Sequence, residues 1–176
     1  MAAVSAYAQR KKLEYFFSKI PKDARILEVG CADGWVGDYA IENGWTNFVG
    51  VDIVKPENTN FKHDFIHGDI NKWHELGLSE NSFDAIIAFE VIEHGDFFEA
   101  LYALLKPEGL FMYTTPVPHM DWACKILEKS GLNQQRTSEH SHLIYSKDIP
   151  KFEKVETSVK GFISQWGVLK KPLAEV

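Results

Sequence analysis

Glu90, Glu93 and His94 place two carboxylates and an imidazole within one short stretch, E-V-I-E-H. On a helix, the spacing i, i+3, i+4 puts the three side chains within an arc of about 100°. In a turn they can still converge. Such a trio holds a divalent cation when a further ligand or water joins it, and magnesium and manganese are the candidates. The same groups suit proton transfer, with His94 as general base on a substrate hydroxyl and a carboxylate orienting it. Glu90, Glu93 and His94 are therefore both the candidate catalytic residues and the candidate metal ligands. The simpler expectation is a structural turn, in which Glu90 caps backbone amides and His94 packs beside the next helix.

A second stretch is richer in backbone than in side-chain chemistry. Arg25 to Gly37 reads R-I-L-E-V-G-C-A-D-G-W-V-G. Ile26, Leu27 and Val29 suit a buried parallel strand, and Gly30, Gly34 and Gly37 follow. Trp35 to Ile41 reads as a short helix stopped by Asn43-Gly44. A strand, a glycine turn and a helix bring bare backbone and the first helix N–H groups close to one ligand space. Asp52 ends the next strand, 22 positions after Gly30. An acidic residue at that distance accepts hydrogen bonds from ribose hydroxyls in nucleotide-binding α/β folds. The dinucleotide pattern G-x-G-x-x-G is absent, because position 32 is Ala32.

E-V-G-C-A-D-G resembles motif I of the class I S-adenosylmethionine (SAM) methyltransferases, D/E-x-G-x-G-x-G, with Ala32 in place of the middle glycine. F-D-A-I-I-A-F-E-V-I-E-H and L-L-K-P-E-G-L-F-M-Y-T-T-P are similar to the central part of the same superfamily, and the resemblance runs over about residues 24 to 116. It implies SAM as cofactor, held by Glu28, Gly30, Cys31, Asp33, Gly34, Asp52, Ile53, Asp69, Ile70 and Phe89. Asp69 would contact the adenine amino group; read without the resemblance, it is the N-cap of a short helix. E-x-x-E-H resembles two subgroups, the ubiquinone-biosynthesis O-methyltransferases with their small-molecule relatives, and the small-RNA 2′-O-methyltransferases. In the second, a later histidine joins the two glutamates and the histidine on a metal. His119, His140 and His142 follow here, and His140 is the candidate for that place. His140 and His142 would point to opposite faces of an extended chain.

These residues need a scaffold to bring them together. Ala6 to Ile20 has Leu13, Phe16, Phe17 and Ile20 at helical spacing and stops at Pro21. This N-terminal helix, within residues 1–21, is expected to pack near the cofactor site, where Tyr7 or Arg10 could reach the pocket. Strands are expected at Thr46–Ile53, Phe61–Ile66, Phe83–Phe89 and Leu110–Thr115, with helices at Asn71–Leu76, Asp96–Leu105 and Asp121–Ser130. Lys154–Lys160 and Phe162–Leu169 form a closing hairpin around Gly161. The expected fold is α/β, a single Rossmann-like, doubly wound and mostly parallel seven-stranded sheet with a C-terminal antiparallel hairpin, in one domain over residues 1–176.

The composition bounds the partners. A charged fraction of 25% and a hydrophobic fraction of 45% are those of a globular protein. The net charge of −6 argues against a dedicated nucleic-acid binder. No apolar run approaches the length of a membrane span, and the N-terminus lacks the pattern of a signal peptide. The two cysteines, Cys31 and Cys124, are expected to be reduced and the protein cytoplasmic. The expected activity is SAM-dependent methylation, with a small-molecule hydroxyl as acceptor. The alternatives are a metal-dependent RNA 2′-O-methyltransferase and a non-catalytic, methyltransferase-like partner subunit.

Overall fold

The structure is a computed structural model that describes residues 3–56, 60–120, 122, 126 and 142–173. Seven strands form one sheet: β1 (Ile26–Val29), β2 (Phe48–Asp52), β3 (Asp64–His67), β4 (Phe83–Phe89), β5 (Leu105–Pro116), β6 (Glu153–Lys160) and β7 (Ser164–Lys170). Their order is β3-β2-β1-β4-β5-β7-β6. The first five run parallel. β7 inserts antiparallel between β5 and β6 and closes the sheet as a hairpin. This is the mostly parallel, doubly wound sheet with an antiparallel C-terminal hairpin that the sequence predicts. The order reverses beside β1, where such sheets bind ligands outside the carboxyl ends of their strands.

Helices cover both faces. Helix α1 (Ala3–Phe17) and α2 (Trp35–Glu42) lie on one face, and α3 (Phe98–Leu104) on the other. The apolar stripe of α1 supplies Leu13, Phe16 and Phe17 to a core shared with Val36 and Ala40 of α2 and with Ile26, Ala85, Ile87 and Met112 of the sheet. Across the sheet, Leu101 and Leu104 of α3 pack on Leu27, Ile86, Phe111 and Tyr113. Strands buried on both faces carry mostly apolar runs, as I-L-E-V, with Glu28 inside it, and F-D-A-I-I-A-F do. Asp84 interrupts the second run, but its carboxylate accepts from the Arg25 backbone N–H at 2.8 Å and from Lys106 Nζ at 2.6 Å. Among the described residues no helix is long and apolar enough to cross a membrane.

Several boundaries differ from the sequence reading. β3 begins only at Asp64, because Phe61 and His63 turn inward against α2. The expected helix over Asn71–Leu76 is a single 3-10 turn, Ile70–Lys72, capped by Asp69. β5 starts at Leu105 and carries an irregularity at Lys106–Gly109, where the sequence suggests a plain turn. The expected helix over Asp121–Ser130 lies largely outside the described residues, and His140 and Cys124 lie wholly outside them.

His63 sits under the glycine-rich segment. A Cβ on Gly37 would lie 2.4 Å from the imidazole, so only glycine leaves room for this ring. The ring stacks on Phe61 at 5.2 Å and meets Phe48 edge-on, and its Nδ1 lies 3.4 Å from Asp38 Oδ1. Burial lowers its pKa, against the opposing pull of Asp38. The folded protein thus takes up this proton less readily than the unfolded chain. The resulting stability is present above the ordinary histidine value and is lost as pH falls below it. Urea unfolding at about pH 7.5 and about pH 5.5 tests this. The midpoint should fall on acidification, and His63→Phe should fall less; equal falls would clear His63 of the effect.

Candidate functional site

The glycine turn is built on strand pairing. Gly30 N–H donates to Val51 O at 2.8 Å, which seats the end of β1 beside the end of β2. Gly30 has φ +73°, and a Cβ there would fall 2.4 Å from Val91 Cγ2, so the turn after β4 packs directly on the turn after β1. Gly34 N–H then donates to Cys31 O at 2.8 Å, and Gly34 precedes α2 with φ 79°. Ala32, the residue in the middle-glycine position, also holds a left-handed φ of 45°. The chain therefore keeps the backbone that glycine would adopt there, at some cost in strain.

Asp52 holds this turn. Its Oδ2 accepts from Ala32 N–H at 2.7 Å and its Oδ1 from Val54 N–H at 2.8 Å. The residue expected to meet a ribose thus stands at the end of β2, in contact with the turn expected to meet the rest of the ligand. Glu28 lies in β1 just before the turn and is 3% exposed. Its Oε2 is buried with no hydrogen-bond partner among the described residues. Burial raises its pKa well above the usual carboxyl range, and nearby Asp52 and Asp33 add to the rise, while Lys12 opposes it. Asp33 is exposed at the turn.

Lys12, which the sequence reading did not single out, stands beside the candidate site residue Phe89. It reaches from α1 so that Nζ lies 4.8 Å from the Phe89 ring centre and 5.7 Å from that of Trp35. Burial lowers its pKa, and charge interactions with Glu90, Glu28 and Glu93 oppose that lowering. The expected contributors from α1 lie elsewhere: Tyr7 is 65% exposed, and Arg10 pairs with Glu14 along the helix. Helical periodicity already held the signal. Lys12 precedes the buried Leu13 and lies four residues before Phe16, so it borders the buried stripe.

The Glu-Glu-His stretch is a turn and not a helix. Glu90 leaves β4 with a left-handed φ of 56° and is exposed. Its N–H donates to Thr114 O at 2.8 Å. Glu93 turns inward, is 1% exposed, and its Oε2 accepts from Thr115 Oγ1 at 3.0 Å. His94 is half-buried. Among the described residues no group of three or more His, Cys, Asp or Glu side chains is disposed to hold a metal ion. Glu90, Glu93 and His94 thus do not form a cation site by themselves, and His140 lies outside the described residues. Of the later histidines, His142 meets this turn through its backbone N–H, which donates to Glu93 O at 2.8 Å.

The remaining predicted residues divide by position. Ile53 is 68% exposed beside Asp52. Asp69 Oδ1 accepts from Asn71 N–H at 2.9 Å, the N-cap role. The side chains of Ile70 and Cys31 are buried, Ile70 in the core and the Cys31 thiol against Gly50, so only their backbones face outward. Cys31 is a free thiol whose pKa burial pushes up. Phe89 ends β4 and packs on Phe16 with ring centres 4.9 Å apart. At the exit of β5, His119 Nδ1 and Tyr145 OH form a hydrogen bond of 3.2 Å.

With this geometry the chain belongs to a methyltransferase family: residues 3–151 match the family described as "Methyltransferase domain". Over 97 residues it is 29% identical to a protein of Mycolicibacterium smegmatis named "Probable S-adenosylmethionine-dependent methyltransferase/", a match that covers 52% of this chain and 37% of that protein. The chain thus spans little more than a third of that relative. Among solved structures it superposes on the PH0226 protein of Pyrococcus horikoshii OT3 with a TM-score of 0.68 at 17% identity, covering 94% of this chain and 91% of that one. A SAM-dependent methyltransferase of Methanosarcina mazei gives a TM-score of 0.65 at 16% identity, over 90% of this chain and 97% of that one. At these identities the structures establish the fold.

Two predictions follow from the carboxylates. Asp52→Ala removes the acceptor for two turn N–H groups and should weaken S-adenosylhomocysteine binding by about 1.5–3 kcal/mol. Unchanged calorimetric affinity in a folded variant would place the ligand elsewhere. Glu28 has a raised pKa in the free protein, and a cation beside it favours its ionised form. Binding should therefore release a proton, and affinity should rise with pH through the Glu28 titration. Calorimetry in buffers of different ionisation enthalpy reads this release, which Glu28→Gln should abolish.

Proposed function

We propose that the chain is a SAM-dependent methyltransferase whose acceptor is a hydroxyl group of a small molecule. The observation that carries the reading is the buried Glu28 carboxyl, whose Oε2 has no hydrogen-bond partner among the described residues, beneath a glycine turn tied to Asp52. A ligand with a cationic amino-acid head and a ribose satisfies both carboxylates at once. In this reading Glu28, Asp33 and the turn from Gly30 to Gly34, including the Cys31 backbone, hold the amino-acid end. Asp52 accepts from the ribose, while Ile53, Asp69 and Ile70 border the adenine. Phe89 lines the path of the reacting carbon.

Bound SAM supplies a methyl group already activated by its sulfonium. The chain's residues then chiefly provide alignment and exclusion of water. Glu90, Glu93 and His94 stand at the end of β4 beside this path, with Glu93 fixed by the Thr115 hydroxyl. A hydroxyl acceptor must lose its proton, and in this reading His94 takes it, at the only imidazole in the β4 turn. His119 and Tyr145 flank the exit of β5, where the acceptor would approach. Because Glu90, Glu93 and His94 are not gathered as a ligand set among the described residues, transfer in this reading needs neither magnesium nor manganese at Glu90, Glu93, His94 and His140.

Calorimetric titration with S-adenosylhomocysteine, with and without manganese, is the test, followed by transfer of labelled methyl from SAM to a panel of small hydroxyl compounds. The expected result is metal-independent binding and label on oxygen. Absence of binding would overturn the cofactor. Binding that requires manganese, and that is lost in Glu90→Ala, would put a metal at the Glu-Glu-His turn. Label on nitrogen or carbon acceptors alone would overturn the acceptor class.

A further inference from the structure

Lys12 stands in the space that the cofactor reading assigns to a cationic ligand. It does so by reaching across from α1, an element outside the glycine turn. Its ammonium faces two aromatic rings, Phe89 at 4.8 Å and Trp35 at 5.7 Å. Glu90, Glu28 and Glu93 attract it by charge. Faces of aromatic rings together with carboxylates make a niche for an organic cation. The rings come from the start of α2 and the end of β4, and Lys12 reaches both from α1, while the carboxylates of β1 and of the turn after β4 act on it by charge without touching it.

From this arrangement we propose that Lys12 is a tethered surrogate for the cofactor's sulfonium: its ammonium lies over Phe89 and Trp35 in the free protein, within the field of Glu90, and the ligand must displace it. The proposal rests on the cofactor reading above and adds a competition built into the chain. The side chain can leave without the helix moving. Lys12 sits on α1 beside Leu13, and Leu13, Phe16 and Phe17 are buried anchors of that helix. Four rotatable bonds give the ammonium a route to water.

The competition has a defined size and sign. A niche that is open only a fraction of the time lowers apparent affinity by that fraction, so a niche filled nine-tenths of the time weakens binding about tenfold. Removing the ammonium removes this loss. Occupancy alone lowers both affinities by the same factor; removing the ammonium helps SAM further, because its sulfonium is also freed from repulsion by the displaced charge nearby, which the neutral thioether of S-adenosylhomocysteine does not feel. Lys12 thereby shifts selectivity toward the uncharged thioether product.

Lys12→Met keeps the length of the side chain and its apolar contact with Phe89, and Lys12→Gln is the second variant. Calorimetry of wild type and both variants with SAM and with S-adenosylhomocysteine is the experiment. Displacement predicts about tenfold tighter binding in both variants, with the ratio of the two affinities moving toward SAM. Equal weakening for both ligands would show that Lys12 stays and holds the ligand's carboxylate, which overturns the proposal and leaves the cofactor reading standing. Unchanged affinities would overturn it as well. Binding by none of the three proteins would remove the cofactor reading and this proposal together.

Discussion

The site depends on one carboxylate from a neighbouring strand. Asp52 joins the end of β2 to the turn after β1 by accepting from Ala32 and Val54 N–H. The turn has positive φ at Gly30, Ala32 and Gly34, alternate positions along the chain. Backbone of this kind curls its N–H groups inward and is stabilised by an anion at the centre. Here an acidic side chain supplies that anion. The pairing of β1 with β2, Val29 beside Val51, brings Asp52 to the right level. Sheet register thus fixes the turn, and the turn fixes where a ligand can sit.

The same carboxylate adds to a local excess of negative charge. Glu28, Asp33, Asp52, Glu90 and Glu93 crowd the carboxyl ends of β1, β2 and β4. Burial pushes the Glu28 carboxyl well above the usual range, and the charges of Asp52 and Asp33 add to the rise. A cation relieves the crowding. Lys12 does so within the chain, and a positively charged ligand does so from outside. This end of the sheet therefore carries a field that favours cations.

Much of this was legible in the sequence because it follows from local patterns. Apolar runs of strand length gave β1 and β4, the stop at Asp52 gave the end of β2, and two strands around Gly161 gave the closing hairpin. The glycine spacing and Glu28 marked the ligand turn. Three features were not legible, and each depends on contact between distant segments. Helix propensity could not tell that Glu90 to His94 is a turn, since its conformation is set by Thr114 and by Val91 packing on Gly30. The early bend of Phe61 and His63 depends on the space left by Gly37. Helical periodicity sets Lys12 of A-Q-R-K-K-L-E beside the buried stripe, but which rings it reaches is decided by the crossing of α1 over the sheet.

That crossing is itself set by aromatic packing. Phe16 meets Phe89 at 4.9 Å and Trp166 at 5.4 Å, and Tyr15 lies 5.3 Å from Trp166. These rings tie α1 to the end of β4 and to β7 at once. Phe89 thus serves two surfaces, with Phe16 packed against it and the Lys12 ammonium over it. A helix anchored by large rings can hold one flexible, charged arm over the site without losing its own position. The anchoring contacts are between rings, whereas the arm lies over the Phe89 and Trp35 faces and feels the carboxylates only through their field, which salt or a ligand can alter while the anchors stay in place. The N-terminal helix is in this way both a wall of the core and the carrier of a charge held over the end of β4.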